Sequence, residues 1–310
     1  MNTVQRFDTR AWILFAAMAL LWGVPYLFIS IAVESYSPAA VVAGRTLLGA
    51  LLLLPFAIKQ KALLPAFRKI GWVLVLGGIE MAGPFLLLGH AEQTIPSGLT
   101  GLLVATVPLF AALIAFGGGD RSMLSPARGI GLLLGFAGVF VIVAGPGLAV
   151  EGGAGLIAAG EVLLVAVCYA IAPFVIARKL HDVPALGTIT LALLAVGVFY
   201  TPIALLTQHE VPTLPSTVSL IALAVFCTAI AFITFFALIA RVGPVRAPLF
   251  TYVNPVVAIV LGTIILNEPL TLGLLIGFPL VLVGCWLAAT GGRLRTRPLP
   301  SEEFPPVATG

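Results

Sequence analysis

The chain has 310 residues, of which 60% are hydrophobic and 9% charged, with a net charge of +4. Soluble domains carry about 25% charged residues, and no soluble core could hide this much apolar surface, so lipid must be the solvent for most of the chain. The small net charge does not point to nucleic acid, and Cys168, Cys227 and Cys285 stand singly in apolar runs without metal-ligand spacing, so we expect no metal and no cofactor.

A helix needs roughly 20 apolar residues to cross the hydrocarbon layer. In chain order the candidates are 12–32, 38–58, 70–90, 96–116, 129–146, 155–177, 184–206, 218–240, 247–266 and 271–290, here spans 1 to 10. The first exceeds the roughly 7–15 residues of a cleavable signal core, and the next run follows almost at once. Span 1 carries Trp22 and Tyr26. Span 2 carries Arg45, and span 3 carries Glu80 between Gly77, Gly78, Gly83 and Pro84. Span 4 has Thr106 before Pro108, and the gap after it reads "GGGDRSMLSP". Span 5 contains "GLLLGF" at 131–136, span 6 holds Glu161 and Tyr169, and span 9 groups Thr251, Tyr252, Asn254 and Pro255. Span 10 contains "GLLIGF" at 273–278, and the polar, Pro-rich segment 291–310 reads as a disordered tail.

Charge sets an expected orientation. Apart from Arg45, every Lys and Arg falls before span 1, after span 10 or in alternate gaps, whereas the other gaps each hold one glutamate: Glu34, Glu92, Glu151, Glu210 and Glu268. Cytoplasmic segments collect Lys and Arg, so both termini are expected in the cytoplasm.

The chain also repeats itself. A shift of 147 residues puts Pro55 on Pro202, Pro65 on Pro212, Phe85 on Phe232, Pro108 on Pro255 and Trp22 on Tyr169. A shift of 142 then brings "GLLLGF" onto "GLLIGF". The expected units are 1–147 and 148–290, each with five spans, before the tail. An odd span count inverts the second unit relative to the first, as in many secondary transporters. The Gly-x-x-x-Gly of each copy suits close helix packing.

The stretches "LLWGVPYLFI", "SPAAVVAGRTLLGALLLLPF", "IPSGLTGLLVATVPLFAAL" and "VGPVRAPLFTYVNPVVAIVLGTIILNEPLTLGLLIGF" resemble EamA-type members of the drug/metabolite transporter superfamily. The resemblance covers residues 12–290. It implies an all-α integral membrane protein with ten helices in two inverted five-helix repeats. It also implies a central cavity lined by spans 1–4 and 6–9, with spans 5 and 10 as peripheral supports. Proteins of this type move amino acids, other small metabolites or drugs, commonly outward. One departure is the gap "GGGDRSMLSP", where the second half has "NEPLT".

Three charged side chains lie well inside spans: Arg45, Glu80 and Glu161. A charge at membrane depth costs at least about 2.5 kcal/mol, so each should face the interior and have a partner. Glu80 lies about 15 Å along span 3, near the midplane; Arg45 and Glu161 lie about 10 Å and 9 Å from the other face. Arg45 can therefore pair with either glutamate. Glu80 is expected to bind substrate or a proton, and Arg45 to hold a carboxylate or to fix helix register. The expected binding set is Trp22, Tyr26, Arg45, Glu80, Tyr169, Tyr252 and Asn254, with Gly83, Pro84, Pro108 and Pro255 as helix breaks or hinges, since broken helices in both halves mark transporter sites. His90 is expected at the membrane interface.

Rival classes have less behind them. "GGGD" at 117–120 fits the Gly-x-Gly-Asp of intramembrane aspartyl proteases, but that chemistry needs a second carboxylate close by, and the charge map puts all three aspartates, Asp8, Asp120 and Asp182, at the cytoplasmic face. A channel would need a polar stripe, and the interior polar groups here are scattered. The expectation is a non-enzymatic carrier of the bacterial inner membrane that exports amino acids or similar small metabolites, with a multidrug or other metabolite carrier as the alternative.

Overall fold

A computed structural model describes residues 8–119, 125–145, 152–243 and 246–291. Asp120 and Arg121, Glu151, and the tail after Gly291 lie outside the described residues. Among the described residues there is no strand, and ten helices are long and apolar enough to cross a membrane. They are Thr9–Ala32, Pro38–Lys59, Ile70–Ala91, Ser97–Gly117, Pro126–Val143, Gly153–Leu180, Ala185–Thr207, Leu214–Val242, Ala247–Ile265 and Leu272–Thr290, spans 1 to 10 in order. Span 8 starts earlier than the hydropathy suggested. The Thr213 side chain caps it by accepting from the Ser216 N–H, and Pro215 sits in its first turn, where a missing N–H costs nothing. Ser37 and Thr271 cap spans 2 and 10 in the same way.

Ten crossings put residues 9 and 290 on one face, called here the terminal face. Span 5 lies along span 10, and span 2 along span 7. The glycines of the duplicated hexapeptide make the first contact possible. A Cβ on Gly131 would stand 2.5 Å from the Ala288 nitrogen and 2.7 Å from the Leu287 Cβ, and one on Gly273 would stand 3.2 Å from the Val141 carbonyl oxygen. The two copies therefore sit at opposite ends of the same antiparallel helix pair, 131–136 against the end of span 10 and 273–278 against the end of span 5, and neither lines the cavity described below.

Regular helix fails at repeat-related places. Span 4 is interrupted at Ala105 and Thr106, and span 9 at Val253, after a 3-10 turn over Ala247–Tyr252. Span 3 contains a π turn over Gly78–Ala82, and span 8 one over Val225–Ile230; the shift of 147 carries one onto the other. Pro84 does not break span 3 itself. It opens the helix after the π turn, and the Gly83 N–H bonds back to the Gly78 carbonyl. Span 1 is broken at Trp22–Val24, ahead of Pro25, a break that the sequence reading did not identify. Pro55 and Pro202 stay within unbroken helix.

Candidate functional site

These breaks surround one cavity of about 250 Å³, lined from spans 1, 2, 3, 4, 6, 8 and 9. Spans 5 and 10 contribute nothing to it, as the resemblance implied. Span 7 also contributes nothing, contrary to that implication. It is pressed onto span 2, where a Cβ on Gly197 would stand 2.6 Å from the Leu47 Cγ.

Trp22, Tyr26, Arg45, Glu80, Tyr169, Tyr252 and Asn254 all line the cavity, as do Pro108 and Pro255. Gly83 and Pro84 do not. The lining inherits the repeat: Trp22 faces it with Tyr169, Phe85 with Phe232, Pro108 with Pro255, and Glu80 with Cys227, each pair 147 residues apart. Trp22 packs edge-on or tilted into an aromatic cluster, with ring centroids 5.8 Å from Phe232, 5.0 Å from Phe235 and 5.5 Å from Phe250. The chain turns there because Gly23 lets span 1 approach span 9; a Cβ would meet the Val257 Cβ at 2.6 Å.

Arg45 pairs with neither expected glutamate. Its Nε donates to Thr228 Oγ1 at 3.0 Å, and its guanidinium lies over the Phe85 ring, 4.0 Å from the centroid. Thr228 in turn donates to the Leu223 carbonyl at 2.9 Å, five residues back and two residues before the π turn begins. Glu161 is taken by His90, whose Nδ1 stands 2.8 Å from its Oε2. Among the described residues Glu80 makes no hydrogen bond or ion pair, and the terminal guanidinium nitrogens of Arg45 make no hydrogen bond.

Other polar groups serve the broken backbone. Tyr200 OH donates to the Ala82 carbonyl at 3.1 Å, and Cys285 Sγ to the Ala105 carbonyl at 3.2 Å. The Asn254 amide nitrogen donates to the Ala19 and Phe250 carbonyls, 3.2 Å each, in the orientation that its neighbours require, tying the breaks of spans 1 and 9 together. Sequence reasoning passed over Met81, Phe85, Cys227, Thr228 and Phe232. The match of Phe85 with Phe232 was the available signal.

The sequence profile of the EamA-like transporter family matches residues 9–144 and again 155–290. The chain belongs to the EamA-like transporter family. Within it, the inner membrane transporter YedA of Escherichia coli (strain K12) is 29% identical over 261 residues, 82% of each chain. The transporter YvbV of Bacillus subtilis (strain 168) is 31% identical over 298 residues, 91% of this chain and 92% of its own. A probable terminal-alkyne amino-acid exporter of Streptantibioticus cattleyicolor is 24% identical, over 89% of this chain and 90% of its own. A solved crystal structure at 22% identity has a TM-score of 0.64 and covers 93% of this chain and 99% of its own, a likeness of fold alone. This EamA-like protein is a multi-pass inner-membrane transporter.

Proposed function

We propose that the protein is a secondary carrier that exports amino acids or similar small metabolites. The two halves would rock about the cavity so that it opens to one face at a time, with the terminal face cytoplasmic. The observation that carries this reading is the pairing of repeat-related residues around one cavity, where exchange between inverted halves would turn the site over. The free terminal nitrogens of Arg45 offer a fork for a carboxylate, Glu80 offers an acceptor for an ammonium group, and the Trp22 cluster offers an apolar wall. The distant amino-acid exporter supports the same substrate class.

A second reading, a carrier of flat cationic drugs, is favoured by the unpartnered Glu80 among aromatic rings. Counterflow in proteoliposomes separates the two. We expect saturable exchange of labelled amino acids that is competed by unlabelled ones. Exchange of aromatic cations alone would select the second reading, and no exchange by folded protein across amino acids, nucleosides and drugs would end both.

A further inference from the structure

The face opposite the chain ends is bridged by bonds between the halves. Ser37 N donates to Gln208 Oε1 at 2.7 Å, Gln208 Nε2 to the Ser35 carbonyl at 2.9 Å, and Ser216 Oγ to the Ile31 carbonyl at 2.8 Å. At the other end of this seal, Glu268 reaches from the second half to the start of span 4. Its Oε1 accepts from Ser97 N at 2.7 Å and its Oε2 from Gly98 N at 3.0 Å. The socket is built for that carboxylate. Asn267 takes a left-handed turn, φ 56°, before it, and a Cβ on Gly262 would collide with Oε2.

Next to this fixed charge a second carboxyl is buried. Glu92 is 6% exposed, and both its oxygens lack a hydrogen-bond partner among the described residues, as does the fully buried Ser97 hydroxyl. Glu92 also ends span 3, where the helix dipole disfavours negative charge. Burial and the Glu268 carboxylate push the Glu92 carboxyl well above the ordinary range, against the weaker pull of the Ser30 backbone amide and Arg45. Glu268, Arg45 and Tyr26 are the ionisable groups that act on it from neighbouring elements; His90, two residues back, is held by Glu161.

We propose that Glu92 is a proton-binding site of the transport cycle, occupied when the face opposite the chain ends is closed and emptied to water on that side when the face opens. Deprotonation in the closed state would put two carboxylates together without water, so the closed form binds the extra proton. The device is one-sided. The repeat counterpart of Glu92 is Ile239, at the shift of 147, and Glu268 falls on Arg121 at that shift or on Pro126 at the shift of 142, so the repeat supplies no second pair of carboxyls. The site rests on alternating access but on no substrate assignment, and its test needs no substrate.

Spin labels on the exposed positions Gln93 and Leu270, in full-length protein lacking the three native cysteines and reconstituted in lipid, report the distance across this seal. We expect a short distance at pH 5, giving way to a longer one as pH rises through the closed-state value of Glu92. Glu92→Gln should hold the short distance at every pH, whereas Glu80→Gln should keep the wild-type response. An unchanged distance in the wild type from pH 5 to 9, or the same pH response in Glu92→Gln, would overturn the proposal. So would a response that Glu80→Gln abolishes and Glu92→Gln retains. Failure of amino-acid counterflow would leave these distances unaffected, so the two readings fail separately.

Discussion

Glu80 and Arg45 are charged groups without repeat counterparts of their kind: the shift of 147 places Cys227 opposite Glu80 and Ala192 opposite Arg45. A symmetric scaffold thus carries one acid and one base, which gives the cavity a direction along which a zwitterion could lie. Charge at membrane depth is rare enough to single out both residues from sequence alone. Their partners were not legible, because the choice turns on which way a long side chain leaves its helix. Arg45 found a threonine and a ring face, and neither Thr228 nor Phe85 carries a charge that would mark it in advance. Replacing Glu80 by Gln keeps the shape and removes the charge; we expect transport to fall at least tenfold (about 1.4 kcal/mol) with no loss of melting temperature, since no bond is broken. Thr228→Val removes the acceptor of a charged donor, and a bond of that kind contributes about 1.5–3 kcal/mol. Unfolding in detergent should register a destabilisation of that order, and Arg45→Lys should not restore function, because an ammonium lacks the planar fork.

At the scale of whole elements, the spans were legible because a run of apolar residues bounded by turn formers has one physical meaning in lipid. The breaks were legible only where proline marks them. Pro108 and Pro255 lie within two residues of the interruptions in spans 4 and 9, and Pro84 opens the helix that follows the π turn of span 3. The π turn of span 8 has no proline at all and is recognisable only as the repeat image of the one around Glu80. Proline is also not sufficient, since Pro55 and Pro202 sit in continuous helices pressed together, where the neighbouring span leaves no cavity for a freed carbonyl to face. Tyr200 makes the span 3 distortion affordable by bonding the Ala82 carbonyl. Tyr200→Phe should cost about 1 kcal/mol and speed amide exchange over residues 78–86, measured by mass spectrometry, without altering the cavity lining. At the supporting pair the constraint is steric. A methyl group at Gly131 would press on the span 10 backbone, and overpacking of this kind costs about 1–3 kcal/mol. Gly131→Ala should therefore lower the melting temperature while leaving the affinity of whatever protein folds unchanged.

For the whole molecule, the two faces are bridged by different chemistry. The opposite face uses part-buried bonds among backbone groups, hydroxyls and the Gln208 amide, together with Glu268 in its socket. The terminal face uses exposed ion pairs: Lys69 with Asp182 at 2.5 Å and Arg241 with Asp8 at 3.0 Å. Exposed pairs of this kind are weak and are screened by salt, so on the alternating-access reading the terminal face is expected to open the more readily from this arrangement. The Lys69 ammonium, bonded to the Asp182 carboxylate, holds that carboxyl below the usual range. A lowered value means the latch is intact above the ordinary aspartate range and lost only as pH falls through the lowered value. The terminal latch is therefore blind to pH near neutrality, whereas the Glu92 carboxyl is shifted the other way, by burial and by Glu268. The cation map had marked these gaps by their Lys and Arg residues, but sequence could not say that two of them close on aspartates across the halves. Asp182→Asn should lengthen the distance between labels on the exposed Arg68 and His181 at every pH from 6 to 9. High salt should have the same effect on the wild type, while the Gln93–Leu270 distance should keep its dependence on pH. If Asp182→Asn left the terminal distance unchanged at low and high salt alike, the ion pair would be an incidental surface contact, and the ease of opening on that face would have to come from the cavity side of spans 3 and 6.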